Sequence, residues 1–191
     1  MQRRLFFWMN KISILKMVYV VTGGPGFGKS TVIDLLEKQG FPVCQEGARS
    51  ILSAETTPIL TSRERAMPLD FERTIADWRL NFLLSIQSET IAFSDRGLPD
   101  QIAYSWYKKK NPSDFIEGLV DKHRYASVVF VTPPWKAIYG MDDIRQEHFS
   151  EASKIHDYIL AAYLKYGYKI VNLPLVNPDE RVRFILNFLY I

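Results

Sequence analysis

Hydrophobic and polar positions along this chain fall into two alternating rhythms. Val18-Tyr19-Val20-Val21 is a β-branched and aromatic run of the kind that fills a buried strand. From Lys29 onward, Val32, Ile33, Leu35 and Leu36 share one face at helical spacing. The alternation then repeats. Phe41–Cys44 predicts a second strand, Thr90–Ser94 a third, Ser127–Val131 a fourth and Tyr168–Val171 a fifth. Asp70–Ser88 predicts a long helix with Phe71, Ile75, Trp78, Phe82 and Ile86 on one stripe, and further helices are expected near Leu98–Lys109, Ser150–Tyr166 and Asp179–Tyr190. Strands that alternate with helices predict an α/β fold whose parallel sheet is covered on both faces. Ligands in such folds bind at the carboxyl ends of the strands.

The junction between the first strand and its helix carries the clearest chemistry. Gly23-Gly24-Pro25-Gly26-Phe27-Gly28-Lys29-Ser30 fits G-x-x-x-x-G-K-[ST], with Thr31 following. A loop of this kind turns backbone N–H groups inward around an anion, and the helix N-terminus adds positive potential on the same side. Lys29 is placed to reach the β- and γ-phosphates of a nucleoside triphosphate, and the Ser30 hydroxyl to hold Mg²⁺. The dinucleotide fingerprint G-x-G-x-x-G is not met, because its last position is occupied by Lys29.

Other strand ends supply the rest of a candidate site. Asp95 closes the third apolar run, where a carboxylate can position Mg²⁺ directly or through water, and Arg96 offers a planar guanidinium to phosphate or carboxylate. Glu46 follows the second strand, where it could take a proton from an acceptor hydroxyl or orient it, and Arg49 lies one helical turn further on. Arg145, in the polar stretch YGMDDIRQE, suggests a lid in which it and Lys136 neutralise developing charge. Asn177 to Arg181 could wall the base. His123, His148 and His156 read as surface or helix residues, and with Cys44 they offer no metal-ligand spacing.

Composition changes this picture little. At 191 residues, 47% apolar and 24% charged, the chain suits one core. A net charge of +3 is too small to argue for nucleic acid, and Lys108-Lys109-Lys110 falls at a helix end where the macrodipole favours cations. A single cysteine rules out an intramolecular disulfide and fits a cytoplasmic location. Residues 1–16, with Arg3-Arg4 before Leu5-Phe6-Phe7-Trp8-Met9, imitate the start of a signal peptide but are too short to span a bilayer. They are expected to be an N-terminal extension to a single nucleotide-binding domain at 17–191.

Taken together, the glycine loop, Gln45-Glu46-Gly47-Ala48-Arg49, Asp95-Arg96-Gly97 and Pro133-Pro134-Trp135 resemble the AAA-like predicted ATPases. These P-loop proteins are grouped with the ribosylnicotinamide kinase domain and, more distantly, with nucleoside and nucleotide kinases. Ile138-Tyr139, Asp142, Arg145, Glu147, Tyr163, Gly167-Tyr168, Pro174 and Arg181 are similar to the family's second half. The resemblance runs from Val18 to Ile191. It implies a three-layer P-loop NTPase fold, strand order 2-3-1-4-5, ATP with Mg²⁺, and a role for Glu46 at the acceptor beside the Asp95–Arg96 pair. Three functions follow from it: a small-molecule kinase acting on a hydroxyl of a nucleoside-like acceptor, an ATPase or nucleotide switch read by a protein partner, and a binding module without turnover. Glu46, Arg49 and Arg96 around one cleft favour the first.

Overall fold

The computed structural model describes residues 17–46, 69–139 and 148–191. Five strands, β1 (Val18–Thr22), β2 (Val43–Cys44), β3 (Ala92–Asp95), β4 (Val128–Val131) and β5 (Lys169–Asn172), form one parallel sheet in the order 2-3-1-4-5. Register places Val21 beside Asp95 and Thr22 beside Val131, so the ends of the three central strands lie level. Six α-helices are described: α1 (Lys29–Lys38), α2 (Leu69–Ser85), α3 (Leu98–Tyr107), α4 (Asp114–Lys122), α5 (Phe149–Lys165) and α6 (Pro178–Leu189).

Strand alternation sends successive side chains to opposite faces, and the core divides accordingly. Val18, Val20, Val129 and Val131 pack with Ala76 and Leu83 of α2, Ile102 of α3, Ile116 of α4 and Ile155 of α5. On the other face Val21, Phe93 and Phe130 pack with Val32, Ile33 and Leu36 of α1 and with Val182 and Ile185 of α6. The three layers of the expected fold are thus present.

Several boundaries differ from the expected ones, each for a physical reason. Strand β2 begins at Val43 because Pro42 has no N–H for the ladder, though its carbonyl still accepts from Phe93 N–H. Helix α2 ends at Ser85, and Glu89 beyond it adopts a left-handed turn with φ 74°. Helix α4 was not expected; it starts where Ser113 Oγ accepts the Ile116 N–H as an N-cap. The expected apolar stripe through this helix holds except at Trp78, with Phe71 and Phe82 half-buried. Ile75, Ala76, Leu83 and Ile86 are buried, whereas Trp78 is exposed and Arg79 takes a core position.

Candidate active site

Strand β1 ends at Thr22, and the chain turns through the glycine loop before α1 begins at Lys29. Two glycines are required by close approach. A Cβ on Gly23, whose φ is +140°, would lie 2.5 Å from the Thr132 carbonyl, and one on Gly24 would lie 2.5 Å from the Ala152 carbonyl of α5. Helix α1 has Gly28 at its N-cap and no side-chain cap, which leaves its first amides for a ligand. Pro25 and Gly26 lie at the partly exposed rim, Phe27 is fully buried, and Thr31 is exposed.

Lys29 is buried and its Nζ donates to the Gly24 carbonyl at 2.8 Å. Burial, and then the like charge of Arg96, pull its ammonium down to about 8. Ser30 Oγ donates to Asp95 Oδ2 at 2.9 Å, so the two expected metal residues touch. Asp95 Oδ1 is buried and finds no hydrogen-bond partner among the described residues. Burial, and then the charge of Glu46, push this carboxyl up to about 6. A hydroxyl beside an unpartnered carboxylate oxygen is a hard-oxygen donor set, which fits a magnesium ion completed by phosphate and water oxygens.

Arg96 connects this half of the site to the other. Its Nε donates to Glu46 Oε1 at 3.1 Å, and its Nη1 to Asp100 Oδ1 at 3.0 Å and to the Gly23 carbonyl at 3.1 Å. Arg96 holds a left-handed backbone with φ 69°, a conformation that costs about 1–3 kcal/mol in a non-glycine residue and survives only where the surroundings over-determine it. Here they do: its N–H donates to the Val21 carbonyl, and Ser94 Oγ donates to its own carbonyl at 2.6 Å. Burial opposes its charge, but Tyr104, Glu46, Asp100 and Asp95 outweigh that and keep the guanidinium protonated.

Asp100, in the first turn of α3, was not singled out by sequence reasoning. It is fully buried and accepts four hydrogen bonds: from Thr22 Oγ1 at 2.6 Å, Tyr163 OH at 2.6 Å, Arg96 Nη1 at 3.0 Å and the Gly97 amide at 2.9 Å. Its only sequence signal was an acid two residues into a helix behind Pro99, which the macrodipole explains equally well. His156, expected as a surface or helix residue, does lie in α5 but is buried against the loop. Its Nδ1 accepts the Gly24 N–H at 3.4 Å and its ring meets Phe27 edge-on. Arg181 of α6, which entered the sequence reading only through resemblance and as a base wall, donates to the Phe27 carbonyl at 3.0 Å and stacks over Trp135. Lys136 lies exposed in a 3-10 turn after β4. Arg49 and Arg145 lie outside the described residues, so the structure brings together Lys29, Ser30, Glu46, Asp95 and Arg96 from the expected set.

A glycine loop closing the central strand of a 2-3-1-4-5 sheet, with lysine and serine opening the next helix, defines a P-loop NTPase fold. A family model described as an AAA domain matches residues 18–181, and the chain belongs to that family. Solved structures with the same fold include the NadR protein in complex with NR, at 17% identity and TM-score 0.65, covering 91% of this chain and 51% of that one. This chain therefore spans about half the length of that protein. Thymidylate kinase from Ehrlichia chaffeensis matches at 16% identity and TM-score 0.58, covering 93% of this chain and 100% of its own. Deoxyadenosine kinase from M. mycoides with bound dATP matches at 15% identity and TM-score 0.63, over 92% and 100%. No curated protein matches the sequence. No helix among the described residues is long and apolar enough to cross a membrane.

Proposed function

We propose that this chain is a small-molecule kinase that transfers the γ-phosphoryl group of ATP to a hydroxyl of a nucleoside-like acceptor. The observation that carries the reading is that Glu46 stands on the same guanidinium, Arg96, that reaches the Gly23 carbonyl of the phosphate loop. A carboxylate held this way would stand close to the γ-phosphate of a nucleotide seated on the loop, which supports the kinase reading. An ATPase needs only a water there.

In this reading the loop amides from Gly23 to Ser30 cradle the phosphates and Lys29 turns from the Gly24 carbonyl toward the β- and γ-phosphates. Ser30 and Asp95 would hold Mg²⁺, which supplies charge neutralisation at the phosphate oxygens when bound. Glu46 orients the acceptor hydroxyl and takes its proton as the oxygen attacks the γ-phosphorus. The new O–P bond forms as the bond to the β-phosphate oxygen breaks, and ADP leaves. Arg96, held protonated, stabilises the charge that spreads over the phosphoryl oxygens.

Glu46→Gln tests this. Glutamine keeps an oxygen for Arg96 but cannot take the proton, and loss of a general base costs about 10²–10⁴ in rate. Calorimetry should show ATP affinity close to wild type, while transfer of γ-label to pooled nucleosides falls by that factor. If no nucleoside, vitamin or sugar accepts label from the wild type, and ATP hydrolysis is unchanged in the variant, the kinase reading gives way to an ATPase.

A further inference from the structure

The peptide group between Gly23 and Gly24 is tethered at both ends by buried side chains from different elements. Its carbonyl accepts from Arg96 Nη1 at 3.1 Å, and its amide donates to His156 Nδ1 of α5 at 3.4 Å. A glycine on either side gives this peptide the widest backbone freedom a chain can have. The two tethers are what fix its plane, and an anion nest depends on the orientation of each peptide that builds it.

The loop lies hard against α5 at this point. A Cβ on Gly24 would lie 2.5 Å from the Ala152 carbonyl, and His156 follows Ala152 by one helical turn. The imidazole is 4% exposed, and its ring meets Phe27 at 5.9 Å between centroids. Helix α5 thus bears on two residues of the phosphate loop, Gly24 and Phe27. An imidazole that accepts at Nδ1 carries its proton on Nε2 and is neutral. A second proton goes on Nδ1 and turns the acceptor into a donor facing the Gly24 N–H. The bond is then lost, and two buried donors stand against each other.

The surroundings favour the neutral form. Burial holds the imidazole below its ordinary range; Asp157 on its own helix favours the charged form, and Lys29 of α1 opposes it. Phe27, packed on the ring from the loop, brings no charge. The imidazolium therefore forms only as pH falls below the ordinary histidine value of about 6.5.

We infer that His156 is a positioning residue for nucleotide binding: neutral, it holds the Gly23–Gly24 peptide in the orientation that binds phosphate, and protonated, it releases that peptide and weakens the site. The inference rests on the phosphate-loop part of the function proposed above and needs no particular acceptor.

The test titrates the full chain with AMP-PNP and Mg²⁺ by calorimetry between pH 7.5 and 5.5, comparing wild type with His156→Asn and His156→Phe. Asparagine keeps an acceptor oxygen where Nδ1 stands and does not titrate, whereas phenylalanine keeps a ring against Phe27 but accepts nothing. At pH 7.5 His156→Asn should bind within about twofold of wild type, and His156→Phe about two- to tenfold more weakly, as loss of one hydrogen bond implies. As pH falls to 5.5 the wild type should lose at least about threefold in affinity relative to His156→Asn, while the two variants keep a constant ratio. Titration of Asp95 and of the γ-phosphate is common to all three proteins and cancels in these ratios. In free wild type the ¹⁵N-labelled Gly24 amide resonance should move with the His156 titration, which carries the test if the variants fail to fold. A wild-type ratio that stays flat, or that rises because the imidazolium attracts phosphate, would overturn the inference. So would equal losses in both variants at every pH, the mark of a ring that only packs, or a Gly24 resonance indifferent to the titration. If the wild type binds AMP-PNP and the ratios are flat, this inference alone fails. If it binds no nucleotide at any pH, the phosphate-loop reading falls with it.

Discussion

Replacing Asp100 by asparagine removes the one charge on which four donors converge. Thr22 and Tyr163 hydroxyls at 2.6 Å, the Gly97 amide at 2.9 Å and Arg96 Nη1 at 3.0 Å all point at it. An asparagine can offer one acceptor oxygen to them and must turn its NH₂ toward donors. Breaking a buried ion pair by removing one partner costs about 3–5 kcal/mol, because the other charge stays buried and unmatched. Against a typical domain stability of about 5–15 kcal/mol, that is a large fraction. Tyr163→Phe removes a single donor and leaves three, so the low end of a charged hydrogen bond, about 1.5 kcal/mol, is expected. Urea denaturation of both variants, followed by circular dichroism, reads these differences directly. Acid titration gives a second, independent reading. Burial raises the Asp100 carboxyl, but Arg96, Arg79, the Gly97 amide and Thr22 outweigh it and hold the group below its usual range. Stability from this source is therefore full above the unfolded pKa of about 3.9 and is lost as pH falls through the lower folded value. Asp100→Asn should flatten the acid limb below about pH 4. A variant within about 1 kcal/mol of wild type, with an unchanged acid limb, would refute the reasoning that the Asp100 charge holds these four donors.

Other perturbations separate the parts of the site. Lys29→Ala should leave a folded protein whose ATP affinity, measured by calorimetry, falls by the roughly 1.5–3 kcal/mol of a charge-assisted contact; unchanged affinity would remove the lysine from the phosphate site. Asp95→Asn should weaken nucleotide binding only when Mg²⁺ is present, and should abolish the rise in Mg²⁺-dependent affinity expected in wild type as pH passes about 6. Burial holds His156 below its ordinary range, so the stability it contributes is complete above about pH 6.5 and declines as pH falls from there toward the folded value. His156→Phe should remove that decline in thermal melts between pH 5 and 7, and an identical pH profile would show that the Gly24 contact carries no weight.

Much of the fold was legible because its signals are local. Strand runs of Val and Phe, the glycine loop and the helical spacing of Val32, Ile33 and Leu36 each report on neighbours in the chain. The residues that went unread report on contacts far along it. Asp100 binds Thr22 and Tyr163, separated from it by 78 and 63 positions, and His156 meets Gly24 across 132. Nothing in the immediate surroundings of these residues distinguishes them from a helix-start acid or a surface histidine. Arg79 illustrates a third case. Helical periodicity placed Trp78 inward with Ile75 and Ile86, yet Trp78 is exposed and Arg79 takes the core position between Ile75 and Leu83. Helix α4 was missed for a related reason: Ser113 caps it, but the Asn111-Pro112 break before it reads as loop.

The loop's carbonyls explain how this arrangement makes an anion site. A peptide group points its N–H and C=O in opposite directions, so a loop that offers amides inward must satisfy its carbonyls outward. Three of those carbonyls accept from cationic side chains: Gly23 from Arg96, Gly24 from Lys29 and Phe27 from Arg181. The Thr22 carbonyl is taken by the Thr132 amide of the adjoining strand. Each bond fixes a peptide plane, and together they turn the loop before any phosphate arrives, which lowers the ordering cost of binding. The cations come from three different places, α1, the turn after β3, and α6. In the function proposed above, only Lys29 exchanges its carbonyl for phosphate. Arg96 and Arg181 can keep theirs, so the loop stays set while Lys29 moves, and Arg96 passes that order on to Glu46 through the same guanidinium.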